Sequence, residues 1–397
     1  MKPTVKIGSF FLAAVMALSA VLTTGCSLNK EWSYRTSEKE LAIGVYIYCL
    51  DVAFQQAQTK AKELEDYDGT KDKWLDMEIT DDDGNTVVAR KWIKDEADKK
   101  CRSFLAVENA MKEEGATVDE ATQQAADDQA KTYWNVGQYA NYGYVMPMSK
   151  ELEPHGISFE SFRYCTAQYS VNHQALFNKL YGENGSQEVS DSELEKYYTE
   201  NYVDYSYIPV KLYTTAADES GQQTNTALDD EKIKSYTDEL EGYVKDIDNG
   251  KSFEDVDKEY MSKNELTDDP ALSNKEQLEN VSAGDQIKDA LKELGANKAT
   301  TVKVGEGNEA MLYLVYKRNS ADSAKEYIQT ETNHTAVLNA MKEKDFEVYI
   351  QQIADDLEIE KSAAVDKYDP KMFFVAEKPT TAAKETTSAE TETVAEE

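Results

Sequence analysis

The chain has 397 residues, of which 76 are acidic and 43 are basic, and its formal net charge at pH 7 is −33. Nucleic acids and anionic lipid surfaces both attract basic proteins, so this charge argues against either as a direct partner. A chain of this length is more typical of two domains than of one. We therefore expect a dispersed, acidic, two-domain protein without a nucleic-acid partner.

The amino-terminal segment is typical of an exported protein. Residues 1–25 contain two lysines near their start and an uncharged apolar run, Ile7–Leu22, that is too short for a membrane span. The following Leu22–Cys26 resembles a bacterial lipobox, in which the cysteine thiol receives a diacylglyceryl group, although Thr23 occupies the usual apolar position. We expect a lipid on Cys26, which would anchor the mature protein to the outer face of a bacterial cytoplasmic membrane. The alternative is an ordinary signal peptide followed by an incidental cysteine.

A tether and a disordered tail are predicted on either side of the folded body. Residues 26–36 are interpreted as a tether between the lipid and the folded body. Residues 378–397 consist almost entirely of Thr, Ala, Glu, Ser and Lys, which cannot bury enough apolar surface to offset chain entropy. We therefore predict a disordered acidic tail over these last residues.

Three cysteines remain once Cys26 is acylated, namely Cys49, Cys101 and Cys165. No C-x-x-C spacing links them, so a metal or redox motif is not indicated. All three fall in segments with helical periodicity. Buried structural thiols are the favoured interpretation, and one disulfide is the alternative.

Helical periodicity dominates the first half of the chain. Apolar residues recur at helical spacing over four segments, at about 41–64, 92–114, 118–142 and 158–180. A short hairpin is predicted between the first two, because Asp83-Gly84 is a favoured turn pair flanked by short apolar runs. This half is therefore predicted to be a helical body with a small hairpin insert.

The periodicity changes after residue 201. Ile208, Val210 and Leu212 alternate with larger or polar residues, which predicts a strand over 205–213. A polar loop and three helical patterns follow, and two strands at 300–304 and 310–317 close the unit. This β-α-α-α-β-β order predicts a compact α+β domain over residues 201–318.

Helical periodicity returns over Thr335–Leu357. A helix that follows an inserted domain must pack somewhere, and the first helical body is the obvious place. The predicted fold class is therefore α+β and mostly helical, with residues 37–200 and 319–377 forming one helical domain around the inserted 201–318 domain.

Three stretches of this sequence resemble foldase lipoproteins of the PrsA and SurA type. They are Gly156–Phe162 leading to Val189–Tyr198, Gly250–Val256 with Glu259–Ser262, and the closing strand Met311–Arg318. The likeness covers residues 41–370. It implies a helical SurA-N-like chaperone domain, built from both chain ends, around an inserted parvulin-like prolyl-isomerase domain. It further implies unfolded or exported proteins as clients and no cofactor.

The sequence departs from that family where isomerase activity would reside. Active parvulins carry a histidine on the first strand and another on the last, and here Tyr207 and Tyr313 stand at those positions. Active parvulins also have a Gly-Gly-containing loop after their first helices. The corresponding residues here, 267–275, contain no glycine. The three histidines of the chain lie outside the inserted domain, at His155, His173 and His334. We therefore expect no catalytic residues and a chaperone that binds clients without catalytic turnover.

Aromatic residues near the junction of the two predicted domains form the candidate peptide-binding surface. The residues are Tyr202, Tyr205, Tyr207, Phe253 and Tyr313. Tyrosine combines a broad apolar face with a hydroxyl, which suits adaptable binding of unfolded chains. The alternative is that these rings line an ordinary domain interface.

Two other function classes remain open. The first is an active parvulin-type peptidyl-prolyl cis-trans isomerase, which the domain order favours and the missing histidines oppose. The second is a solute-binding lipoprotein of a transporter, which shares the anchor. That class needs two α/β lobes, and the helical first half argues against it. No metal-ligand spacing, nucleophile motif or phosphate-binding glycine loop is present.

Overall fold

The computed structural model describes residues 31–217 and 221–374. The predicted signal peptide, Cys26 and the predicted tail at 378–397 lie outside these residues. Within the described ranges the chain is helical with several small antiparallel sheets, and the predicted α+β class is confirmed. No helix in these ranges is both long and apolar enough to cross a bilayer.

The elements up to residue 181 form hairpins, short strands and six helices. In chain order they are β1 (Trp32–Arg35), β2 (Glu40–Ala42), α1 (Ile43–Ala61), β3 (Glu78–Thr80), β4 (Thr86–Val88), α2 (Ala89–Glu113), α3 (Glu120–Asn135), α4 (Ser149–Leu152), α5 (Phe159–Arg163) and α6 (Tyr169–Tyr181). A π-helical turn, Tyr164–Gln168, joins α5 to α6.

The remaining elements contain most of the strands. They are α7 (Asp191–Asn201), β5 (Tyr202–Lys211), β6 (Tyr213–Ala217), β7 (Gln223–Ala227), α8 (Asp230–Asp248), α9 (Phe253–Lys263), β8 (Leu272–Gln277), α10 (Asp285–Glu293), β9 (Lys298–Val304), β10 (Met311–Lys317), α11 (Ser320–Tyr327), α12 (Glu331–Asp356) and β11 (Glu360–Lys361).

The chain divides into two compact units. Of the described residues, 31–176 and 349–374 belong to the first unit, and 177–217 and 221–348 belong to the second unit. The division therefore falls within α6 and α12, whereas the sequence placed the limits of the inserted domain at 201 and 318. The difference arises because α7 and α11 pack against each other and against β5, which brings both helices into the second unit.

The core of the first unit is built around α1, which is buried along most of its length and packs against α2. An aromatic cluster closes one end of this core, with Phe54 and Trp74 5.2 Å apart between ring centroids. The end of α12 lies on α2, where Arg102 donates a hydrogen bond to the carbonyl of Ala354 at 2.7 Å.

A three-stranded sheet in the first unit was not predicted. Its order is β11-β1-β2, and Tyr34 of β1 pairs with Lys361 of β11 in antiparallel register. These strands are only two to four residues long, too short to show a period of two. The predicted tether at 26–36 needs correction, because Trp32–Arg35 is part of this sheet.

The three cysteines of the first unit are free and buried, as the favoured interpretation predicted. The thiol of Cys49 interacts with those of Cys101 and Cys165 as a hydrogen-bond partner. Burial raises the pKa of the Cys101 and Cys165 thiols, so both remain protonated at neutral pH. Protonated, buried thiols are poor nucleophiles.

The second unit is built on an antiparallel sheet of order β8-β5-β10-β9. Side chains of β5 alternate between the two sheet faces, as the sequence predicted. One face packs against α8 and α9 through Ile208, Leu240, Val256 and Leu314. The other face packs in part against α10. Strand β8 was missed because its sequence is mostly polar, and the predicted polar loop after β5 forms the β6–β7 hairpin instead.

Candidate functional site

The candidate site lies on the face of the second unit's sheet that packs against α10, in the part of that face that α10 does not cover. On this face Val203, Tyr205 and Val315 pack with Ile287 and Leu291 of α10. Farther along the strands the face continues with Tyr207, Leu272, Val302 and Tyr313, which we call the tyrosine face. Antiparallel register fixes their common orientation, since Tyr207 lies opposite Leu272, and Tyr313 lies opposite Val302.

The tyrosine face is accessible to solvent. Tyr207, Val302 and Tyr313 are half-buried, and Leu272 is 50% exposed. The rings of Tyr207 and Tyr313 meet edge to face, with centroids 5.7 Å apart and planes at 67°. Burial raises the pKa of both hydroxyls, so they are neutral and can donate or accept hydrogen bonds at pH 7. The face therefore combines apolar rings with uncharged polar groups.

Tyr205, which α10 covers, packs against the tyrosine face. Its ring is fully buried and stacks on Tyr207, with centroids 5.9 Å apart. Its hydroxyl donates a hydrogen bond to Glu276 at 2.6 Å and accepts one from Asn274 at 3.1 Å. Glu276 also accepts from the backbone amide of Ser282 at 3.0 Å. Burial and the bond to Glu276 raise the pKa of Tyr205 to about 12.

Phe253, which the sequence assigned to the same surface, lies on the opposite side of the sheet. Its side chain is buried among the residues that α8 and α9 cover, and it stacks on Tyr316 at 5.4 Å. Arg318 lies beside this stack and donates hydrogen bonds to Ser206 and Glu254. Phe253 is thus a core residue of the helix-covered face and is not available to a client in this conformation.

Tyr202 is also buried. It stacks on Tyr198 of α7 with centroids 4.8 Å apart, and it lies 6.1 Å from Tyr327 of α11. Ser320 donates a hydrogen bond to its carbonyl at 2.9 Å. Tyr202 therefore joins α7, β5 and α11 within the second unit. Of the five predicted residues, Tyr205, Tyr207 and Tyr313 come together, and only the last two are accessible.

Asp257, a carboxyl group with a raised pKa, lies on the other side of the sheet from the tyrosine face. Asp257 of α9 is 8% exposed, and burial together with the neighbouring Asp269 raises its pKa to about 6. It belongs to the helix that covers the opposite side of the sheet. None of the three histidines lies on the four strands of that sheet. Within the described ranges, no cluster of three His, Cys, Asp or Glu side chains could hold a metal ion.

The sequence did not reveal the polar support of the site. Asn274, Glu276 and Ser282 lie in or after β8, whose polar composition resembles that of a loop. The only available signal was weak: in Leu272–Gln277 the residues now known to share a face with Tyr205 and Tyr207 stand two apart.

No family model matches this chain, and no curated protein matches it. Among solved structures, two crystal structures of PrsA match this chain at low identity. The crystal structure of foldase protein PrsA from Streptococcus pneumoniae str. Canada MDR_19A matches at 14% identity and a TM-score of 0.33, over 73% of this chain and 97% of that one. The crystal structure of PrsA from Bacillus subtilis matches at 16% identity and a TM-score of 0.25, over 75% of this chain and 99% of that one. Both scores are low, so the likeness carries no part of the functional argument.

Proposed function

We propose that this chain is an extracytoplasmic chaperone that binds unfolded or exported proteins without catalytic turnover, and that a lipid on Cys26 anchors it to the outer face of a bacterial cytoplasmic membrane. The observation that carries the client-binding part is the accessible tyrosine face. The membrane part rests on the lipobox-like sequence alone.

The chemistry of the tyrosine face suits transient binding of unfolded chains. Each Å² of apolar surface removed from water contributes roughly 25 cal/mol, so a few side chains of a client give weak but useful affinity. The rings of Tyr207 and Tyr313 lose little conformational freedom on binding, because Tyr205 and the sheet already hold them. Their neutral hydroxyls can pair with exposed backbone groups of any client sequence.

The same residues do not favour isomerase activity. Rotation about an X-Pro amide meets a barrier of ~18–20 kcal/mol, and parvulins lower it in a pocket that contains two histidines. Here two tyrosine rings meet edge to face at the corresponding positions. The segment that corresponds to the glycine-containing loop leads into strand β8. We therefore expect no acceleration of X-Pro isomerisation.

The direct test measures both activities on one purified preparation. We expect the protein to slow aggregation of a denatured client. Isomerisation of a short X-Pro peptide should still take the tens to hundreds of seconds of the uncatalysed reaction. The double substitution Tyr207→Ser/Tyr313→Ser should measurably weaken the aggregation suppression. A matched control is Leu266→Ser/Val348→Ser, which removes two exposed apolar side chains of the second unit that lie outside the tyrosine face. Clear isomerisation by the wild-type protein would establish the catalytic alternative, and failure to suppress aggregation would refute the chaperone proposal.

The anchor has a separate test. Cys26→Ser should release the protein into the medium or leave it unprocessed, because the lipid can no longer be attached. Ser27→Ala is the control, since it changes the neighbouring residue and keeps the thiol. Membrane fractionation followed by detection of the protein measures the outcome. A Cys26→Ser protein from which residues 1–25 have been removed, and which still fractionates with membranes, would rule out the lipid anchor.

A further inference from the structure

The loop between α3 and α4 exposes an unusual concentration of apolar side chains. We call Tyr139–Met146 the aromatic loop. Five of its eight residues have large, apolar and exposed side chains: Tyr139 at 46%, Tyr142 at 79%, Tyr144 at 64%, Val145 at 69% and Met146 at 59%. Residues 137–148 carry no charge, although charged residues make up 30% of the chain. Contiguous exposed apolar surface of this kind marks interaction sites in soluble proteins.

The backbone of the aromatic loop is held in a defined shape. Met146 donates a backbone hydrogen bond to Val136 at 2.7 Å, and Tyr144 donates one to Tyr139 at 3.3 Å. Gly137 has a φ of +109°, and a Cβ at this position would lie 2.2 Å from the carbonyl oxygen of Met146. The close approach of the two ends of the loop therefore requires glycine. Because the loop is already ordered, its side chains can bind a partner with a small loss of entropy.

Charge distinguishes between the partners that an apolar loop could bind. Residues 119–153, which flank and include the aromatic loop, carry six acidic and two basic side chains. A second copy of a chain with net charge −33 would be repelled, and so would an anionic bilayer. A polypeptide with apolar and positively charged residues would be attracted. Tyrosine and methionine are also the residue types that adapt to varied sequences.

We propose that the aromatic loop is a second client-binding surface, located in the first unit, and that it selects unfolded segments that are apolar and positively charged. This inference rests on the proposed chaperone function and names the kind of segment that is bound. The loop contributes apolar contact through its tyrosines, Val145 and Met146. The surrounding carboxylates, among them Asp128, Glu151 and Glu153, favour lysine and arginine in the client.

The test compares two labelled synthetic peptides with the same apolar residues, one containing lysines and the other containing glutamates. Fluorescence anisotropy should show that the wild-type protein binds the lysine peptide and binds the glutamate peptide at least about tenfold more weakly. Added salt should weaken binding of the lysine peptide. The variant Tyr142→Ser/Tyr144→Ser/Val145→Ser/Met146→Ser should bind the lysine peptide at least about tenfold more weakly than wild type. Its melting temperature should be unchanged, because the altered side chains are exposed.

The control variant is Val52→Ser/Val88→Ser, which removes two exposed apolar side chains elsewhere in the first unit, each 38% exposed. It should bind like wild type. Equal binding of the lysine peptide by the four-serine variant, or equal binding of both peptides by wild type, would overturn the inference while wild-type aggregation suppression keeps the chaperone proposal. A loop-dependent association with anionic vesicles or with a second copy, without loop-dependent peptide binding, would also overturn it. If wild type neither binds peptide nor suppresses aggregation, the proposed function itself fails.

Discussion

Replacement of Trp74 by alanine should lower the free energy of unfolding of the first unit by about 3–5 kcal/mol. The indole is 1% exposed and lies 5.2 Å from Phe54, 6.2 Å from Tyr67 and 6.1 Å from Phe374 between ring centroids. Alanine would remove these contacts and leave a cavity in the core of the first unit. Urea denaturation followed by far-UV circular dichroism measures the effect.

Trp74→Phe is the matched control for this substitution. Phenylalanine keeps most of the ring contacts, and it removes an indole nitrogen that has no hydrogen-bond partner among the described residues. A buried donor without a partner costs about 1–3 kcal/mol. Its removal therefore offsets part of the free energy that is lost with the ring contacts. We therefore expect Trp74→Phe to change the free energy of unfolding much less than Trp74→Ala. Similar losses in both variants would show that ring packing at this position is not what stabilises the unit.

Replacement of Tyr205 by alanine should destabilise the second unit by about 3–5 kcal/mol and should also weaken client binding. The side chain is fully buried between β5 and α10, so its removal opens a cavity beneath the helix. It also removes the ring on which Tyr207 stacks at 5.9 Å. Loss of that support would allow Tyr207 to leave the orientation it holds against Tyr313. Chemical denaturation measures the first effect, and aggregation suppression under folding conditions measures the second.

Tyr205→Phe separates the ring from its hydroxyl. The substitution keeps the stacking on Tyr207 and removes the hydrogen bonds to Glu276 and Asn274. Glu276 retains the amide of Ser282 as a donor, so the expected loss of stability is about 1–2 kcal/mol. Client binding should remain near the wild-type level. If Tyr205→Phe were as damaging as Tyr205→Ala, the hydrogen bonds and not the ring would position the tyrosine face.

The sequence predicted elements whose burial repeats with a clear period. Strands β5 and β10 and most of the long helices belong to this group, because one side of each packs on a core. The predicted strands contained Tyr207 and Tyr313, which the family resemblance had singled out at the histidine positions. The period did not place Phe253, since helical spacing identifies the buried side of α9 but does not say which face of the sheet that helix covers.

Other features depend on partners that are distant in sequence. Strand β8 is polar and becomes a strand only by pairing with β5. The aromatic loop was hidden because residues 118–142 were predicted to form one helix, whereas α3 ends at Asn135 and Gly137 turns the chain toward Met146. No local pattern encodes that approach. The sequence therefore did not predict that the residues of the aromatic loop are exposed.

The pairing of β1 with β11 also sets how far the protein can reach if Cys26 carries the proposed lipid. Strand β1 begins at Trp32, and the five residues between Cys26 and that strand allow a Cys26–Trp32 separation of no more than about 20 Å when fully extended. The same strand is hydrogen-bonded to Lys361 and Glu360, near the other end of the described chain. A force on a bound client would pass through this short segment to the antiparallel pair of β1 and β11, which joins residues near both ends of the described chain. The first unit would then stay within a short distance of the membrane surface.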